Sequence, residues 1–158
     1  MNISQVEKKY DYTPNERIIW IEATNTNNFN YDISGYIPQD CKNLKVKLSM
    51  CYIEYPDANI FNATIVRILC DFGTGHNQFS KMNNYLQLCV INNPSTQINK
   101  SIEIIETNAM PYYDLYGLPS ILNIQILNQT YGYLQTSTSN TAPSRINICL
   151  TFSYYIFN

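Results

Sequence analysis

A nucleophilic site of the Ser-His-Asp or Cys-His kind needs a general base, and the chain holds one histidine, His76. It sits in Asp71-Phe72-Gly73-Thr74-Gly75-His76, a histidine on a glycine turn with no nucleophile elbow beside it. Asp71-Phe72-Gly73 matches the magnesium-binding triplet of protein kinases in letters only. The Gly-rich loop, lysine strand and catalytic loop that give that triplet its chemistry are missing. Gly73 and Gly75 are too few to cradle a phosphate, and no helix follows them. Glu103 and Glu106 are close in sequence but fall on opposite faces of an extended strand, so they do not pair across a cleft as glycosidase carboxylates must.

The cysteines are Cys41, Cys51, Cys70, Cys89 and Cys149. Their number is odd, their spacings are wide, and no C-x-x-C pair occurs. With a single histidine this excludes the usual zinc sites. All but Cys41 fall inside expected strands, where a cysteine serves as a small buried apolar group; this points to free thiols and a reducing compartment. No catalytic residue, metal ligand or cofactor site is therefore expected, and the chain reads as a non-enzyme.

The aromatic residues offer a different chemistry. Trp20, Tyr112, Tyr113, Tyr116, Tyr131 and Tyr133 could stack against a sugar. Loop tyrosines are also enriched in protein interfaces, where a rigid ring carries a polar tip. Tyr112, Tyr113, Tyr116, Tyr131 and Tyr133 are the candidate interface residues.

The elements that must position these groups are strands. In the last stretch, Ile146, Ile148, Leu150, Phe152, Tyr154 and Ile156 alternate with Arg145, Asn147, Cys149, Thr151, Ser153 and Tyr155. Period-two alternation puts one set on an apolar face and the other on a mostly polar face. Leu44, Val46, Leu48, Met50 and Tyr52 share a face in the same way over Asn43 to Ile53. Further strands are expected over Glu16 to Thr24, whose Ile18, Ile19, Trp20 and Ile21 read as a buried run, and over Tyr31 to Ile37, Ile60 to Phe72, Tyr85 to Ile91, Ile98 to Ile105 and Ser120 to Asn128. In the fifth, Leu86, Leu88 and Val90 share a face. The 60–72 run is apolar on both faces, as a strand inside a sheet is. Asn25 to Asn30 is expected as a loop. Thr107 to Pro119 is expected to wrap over the end of a sheet, and Gln129 to Pro143 to be an exposed polar loop.

These eight strands, with no amphipathic helix of three turns, predict an all-β fold: an eight-stranded antiparallel β-sandwich, a single jelly roll ahead of other Greek-key sandwiches. The 158 residues suffice for one domain with a core of its own. Residues 1–15 read as a flexible N-terminal arm and 16–158 as the sandwich domain. The arm lacks an apolar core, so no signal peptide is expected, and no run is long enough to span a bilayer. N-x-S/T triplets begin at Asn2, Asn62, Asn99 and Asn128, without a secretion signal to make them glycosylation sites.

Charged residues are only 14% of the chain, against about 25% in ordinary proteins. Asn and Ile fill the gap. The net charge is -2, so the basic surplus that drives phosphate binding is missing and no nucleic-acid partner is expected. Neutral polar side chains are cheaper to desolvate than charged ones, which suits protein contacts.

Pro119-Ser120-Ile121-Leu122-Asn123-Ile124-Gln125-Ile126-Leu127-Asn128, followed by Gly132, Pro143 and Arg145-Ile146-Asn147-Ile148-Cys149-Leu150-Thr151-Phe152, resembles the closing strands of jelly-roll capsid proteins. These are the single jelly-roll minor capsid and penton proteins of large DNA viruses and their satellite viruses. Asn28-Phe29-Asn30-Tyr31-Asp32-Ile33, then Leu44-Lys45-Val46-Lys47-Leu48, is similar to their opening strands. The resemblance implies a structural virion protein without cofactor or catalysis, assembled in the host cytoplasm. Its partners would be itself, as a pentamer or trimer, and other capsid proteins. The chain is short for a major capsid protein with two jelly rolls, which leaves a minor capsid or vertex subunit. The alternative function is a carbohydrate- or receptor-binding β-sandwich module.

Overall fold

The computed structural model describes residues 13–54, 63, 65–72, 85–92, 101–104, 111–136 and 140–156. The expected arm lies almost wholly outside them, as do His76, Glu106 and the Gly73-Gly75 turn. Among the described residues there is no helix, and the strands are β1 (Asn15–Thr24), β2 (Asn28–Asp32), β3 (Lys42–Glu54), β4 (Ile65–Asp71), β5 (Tyr85–Asn92), β6 (Ser101–Ile104), β7 (Tyr113–Asp114), β8 (Ile121–Leu127) and β9 (Arg145–Tyr155). They form two antiparallel sheets packed as a sandwich. One runs β1-β9-β3-β6, with the short β7 also on β3; the other runs β2-β8-β4-β5.

The order has a simple internal logic. β1 pairs with β9, β2 with β8, β3 with β6 and β4 with β5, so the two halves of the chain run antiparallel as one long folded ribbon. Rolling that ribbon adds the β3–β9 and β4–β8 pairings, which make β9, β3, β8 and β4 interior strands.

The core lies between the sheets. Ile146, Ile148, Leu150 and Phe152 of β9 are all 0% exposed, and they meet Val66, Ile68, Cys70, Leu122, Ile124 and Ile126 of the facing sheet in one cluster. Phe72 and Phe152 meet edge to face, ring centroids 6.4 Å apart, the arrangement their quadrupoles favour. The alternation expected of the last stretch is thus the inward row of a central strand.

Two departures from expected alternation share one cause, a β-bulge. The β3–β9 register shifts between Leu48 and Met50, so Ser49 is an extra residue. Leu44, Val46 and Leu48 face the core as expected, but beyond the bulge the phase flips. Cys51 and Ile53 take over the inward row, while Met50 and Tyr52 turn to the outer face and are only half-buried. In the β4–β5 pair Ile68 faces Cys89 but Leu69 faces Gln87, so Leu88 is extra. Leu86 and Leu88 reach the core side, whereas Val90 opposes outward Arg67 and is 45% exposed.

The expected strand Tyr31 to Ile37 is displaced. β2 occupies Asn28–Asp32, and Ser34 to Tyr36 form a turn around Gly35, whose φ of 77° is open to glycine at no cost. The Asn-rich stretch read as a loop supplies the strand because Phe29 and Tyr31 pack on the core, and that burial outweighs the poor strand propensity of Asn. Asn does serve turns elsewhere: Asn25, Asn43 and Asn140 hold left-handed φ of 51–52°, which its short amide tolerates.

Residues 129–136 are likewise not an exposed loop. The Asn128 Oδ1 accepts bonds from Thr130 N, Thr130 Oγ1 and Gly132 N, closing a tight turn. The chain then runs back along β8, Leu134 N donating to Ile126 O, with Leu134 and Thr136 at 0% exposure. Within the 107–119 segment, expected to wrap over the end of a sheet, Tyr113–Asp114 instead joins a sheet as β7, pairing with Lys45 and Val46 of β3.

Truncating Phe152 removes the ring that meets Phe72 in the core, so Phe152→Ala is expected to cost about 3–5 kcal/mol in urea unfolding. Lys45→Ala, which breaks the exposed 3.4 Å ion pair with Asp114, is expected to cost about 1 kcal/mol or less. Equal losses for the two variants would contradict this placement of the core.

Candidate functional site

The five candidate tyrosines do not form one patch. Tyr113 packs against the core from β7. Tyr116 is 74% exposed, on the rim of a cleft of about 470 Å³ between residues 33–44 and 115–120. Tyr112 lies over the outer face of the β1-β9-β3 sheet. Its hydroxyl donates to Glu16 Oε1 at 3.1 Å, and Lys47 Nζ stands 5.2 Å from its ring centroid. Tyr131 and Tyr133 border the outer face of the other sheet. The Arg67 guanidinium stands 4.8 Å over the Tyr131 ring, and Asn28 Nδ2 donates to the Tyr133 hydroxyl at 2.9 Å.

The two outer faces differ in kind. On the first, β1 turns Glu16, Ile18, Trp20 and Glu22 outward, because Ile19 and Ile21 take the core side. The run expected to be buried is so only on alternate residues: Ile18 is 56% and Trp20 59% exposed, because β1 has the core on one side alone. Their partners across β9 are Thr151 and Cys149, and Met50 opposes Cys149 from β3 through the bulge. Small residues on the middle strand, between larger ones on β1 and β3, make a shallow trough. Cys149 and Thr151 at its floor are 4% and 5% exposed, and Thr151 shares a 2.6 Å hydroxyl bond with Ser49. Arg145 and Glu22 close one end with an exposed 3.7 Å ion pair, and Glu16 and Tyr112 the other.

The second outer face carries exposed Ile121, 56%, and Val90, 45%, but its centre is polar. Asn123 Nδ2 donates to Asn28 Oδ1 at 2.9 Å and to Asn30 Oδ1 at 2.8 Å. Its Oδ1 accepts from the Tyr85 hydroxyl at 2.6 Å and from Gln125 Nε2 at 3.3 Å. Gln125 Nε2 also reaches the Tyr85 hydroxyl at 2.9 Å, and Arg67 Nη1 donates to Gln87 Oε1 at 2.9 Å. Gln125 Oε1 and Arg67 Nε are buried without a hydrogen-bond partner. Leu69, 0% exposed, lies under this polar layer. Burial, then the charge of Asp71, pushes the Tyr85 phenol above its ordinary pKa.

Neither face carries a reactive centre built from described groups. Cys51, Cys70 and Cys149 are buried free thiols, as expected from their strand positions, and Cys41 is a half-buried one. Burial, then Asp71, pushes the Cys70 thiol well above its ordinary pKa, which suppresses the thiolate a nucleophile needs. Among the described residues no three His, Cys, Asp or Glu side chains converge as metal ligands, and no helix is long and apolar enough to cross a membrane. Glu103 lies on β6.

The sequence reading named Trp20 and Tyr112 but missed Ile18, Met50 and the whole amide network. Asn28/Asn30 and Asn123/Gln125 each have the i, i+2 spacing that places two amides on one strand face, so a trace was present. No family model matches the chain, and no curated protein matches it.

The half-buried phenols of Tyr31 and Tyr85 and the buried Cys70 thiol make stability depend on alkali. Tyr31 and Tyr85 are raised from 10.0, chiefly by burial, and Cys70 is raised well above 9.0. The unfolded chain releases these protons at lower pH than the folded one. Their contribution is therefore complete below about pH 9 and is lost as pH rises through the folded values. Urea midpoints measured between neutrality and strong alkali are expected to stay level to about pH 9 and then fall. A midpoint that rises with alkali would contradict the burial of these groups.

Proposed function

We propose that this chain is a structural virion protein: a minor capsid or penton subunit, built as a single jelly roll, that assembles with copies of itself and with other shell proteins. The jelly-roll reading rests on the strand order. Setting aside the two-residue β7 and counting the long strands one to eight, the sheets run 1-8-3-6 and 2-7-4-5. That is the order of a hairpin ribbon rolled into a barrel-like sandwich, an architecture shared by viral coat proteins, some lectins and cupins.

The observation that carries the assembly reading is the exposed Ile18–Trp20 strip over the Cys149–Thr151 trough. An indole 59% exposed beside an isoleucine 56% exposed, with charged Glu16, Glu22, Lys47 and Arg145 around them, makes an apolar centre with a polar rim, which suits an interface core. Both lie on β1, an edge strand, so the strip reaches the rim of the sheet, where a neighbouring subunit can cover it. A contact between this strip and a different surface on the next copy closes into a ring about a rotation axis. The resemblance of the closing strands to vertex subunits agrees with such a ring; on this reading the protein is assembled in the host cytoplasm and resides in the virion.

Light scattering on the purified chain is expected to show a pentamer or trimer. Trp20→Glu, which leaves the core intact, is expected to dissociate it, weakening association by about 2 kcal/mol or more while leaving the circular dichroism spectrum unchanged. A chain that stays monomeric at high concentration, and in the presence of the other shell proteins, would contradict the proposal. So would an oligomer indifferent to Trp20→Glu.

A further inference from the structure

The assembly strip uses one outer face. The amide face of β2-β8-β4-β5 has no part in it, and its construction is not that of an ordinary solvated surface. Exposed asparagines usually swing freely and bond water. Here Asn123 spends both amide hydrogens and its carbonyl oxygen on Asn28, Asn30, Tyr85 and Gln125, and so fixes the exposed Asn28 and Asn30 from below. Asn28 in turn donates to Tyr133, whose ring is 42% exposed. The result is a row along the β2 edge, Asn30, Asn28 and Tyr133, in which each polar tip is held at a set orientation.

Such a row keeps capacity to spare. Asn123 accounts for the carbonyl oxygens of Asn28 and Asn30, and Tyr133 for one hydrogen of the Asn28 amide. The amide hydrogens of Asn30, the second hydrogen of Asn28 and the Tyr133 hydroxyl proton remain as aimed donors, and each carbonyl oxygen keeps a second lone pair. Deeper in the face, the unpaired Gln125 Oε1 belongs to a residue only 6% exposed, an acceptor whose burial costs stability unless something engages it.

The charges on this face decide the ligand class. Arg67 and Asp71 offset each other on β4, and Asp32 at the end of β2 already accepts from Ser34 N at 2.8 Å. There is no cationic surplus for an anionic ligand, and no acidic cluster for a cation among the described residues. A neutral ligand that both donates and accepts through closely spaced hydroxyls matches the row, and its apolar ring face matches the exposed ring of Tyr133. Groups fixed before binding also lose little entropy when the ligand arrives.

We propose that the outer face of β2-β8-β4-β5 is a binding site for a neutral saccharide, held by Asn28, Asn30 and Tyr133 and oriented through Asn123. It is independent of the assembly strip, because the two lie on opposite outer faces of the sandwich.

The test is an array of immobilised oligosaccharides ending in galactose, glucose, mannose, fucose, N-acetylglucosamine or sialic acid, probed with the labelled chain. Any hit is remeasured in solution by saturation-transfer NMR. A neutral oligosaccharide is expected to bind. Asn30→Ala and Tyr133→Phe, both at exposed positions, are each expected to weaken it tenfold or more with an unchanged melting temperature, while Trp20→Glu leaves it unaltered. The proposal is overturned if no neutral oligosaccharide binds, if only sialylated ones bind, or if affinity survives both Asn30→Ala and Tyr133→Phe.

Discussion

The structure depends on β9 lying between β1 and β3. Its inward row, Ile146 to Tyr154, supplies the middle of one sheet and reaches across to the other. Without it β1 has no partner in its sheet, and β3 keeps only the short β6 and β7. Among the described strands, the first therefore pairs only with the last one. Every pairing of the ribbon except β4–β5 joins distant segments, and bringing such segments together costs loop entropy before contacts repay it. Folding of this chain is accordingly expected to be slow for its size.

From that constraint follows the division of labour between the faces. With both inner faces given to the core, only outer faces, edges and loops remain for partners. The β1-β9-β3 face places bulky Ile18 and Trp20 beside small Thr151 and Cys149, which leaves an apolar strip open to solvent. The β2-β8-β4-β5 face instead has buried outer leucines, Leu69 and Leu127, beside amides and phenols bonded to one another. On the reading proposed here, one face is buried against a subunit and the other hydrogen-bonds something small and polar. Neither brings together the base, nucleophile or ligand set that catalysis would need from described residues.

Much of this was legible in the sequence where period two runs unbroken. The β9 row, the first half of β3 and the Leu122-Ile124-Ile126 row of β8 could be assigned to the core face from spacing alone, and all lie there except Ile156, which falls past the end of β9 and is 38% exposed. What spacing cannot show is a bulge. One extra residue at Ser49 and one at Leu88 sent Met50, Tyr52 and Val90 to the outside, although nothing in their types distinguishes them from the inward residues before them. Of the Asn-rich stretch expected as a loop, 25–27 is one, but Asn28 to Asn30 open β2: in a chain where asparagine is everywhere, its usual preference for loops carries little weight against the packing of Phe29 and Tyr31 on the core. The amide network was hidden because it joins β2, β5 and β8, and only the sheet order makes those strands neighbours.

The central claim is that this sandwich exists to be covered by other subunits. Quantitative mass spectrometry of purified virions measures this most directly. A vertex or minor shell subunit is expected to co-purify at a fixed ratio, well below one copy per major shell protein, and to stay with the particles through salt washes. Finding the chain only in the soluble fraction of infected cells, and missing from washed particles, would contradict the account.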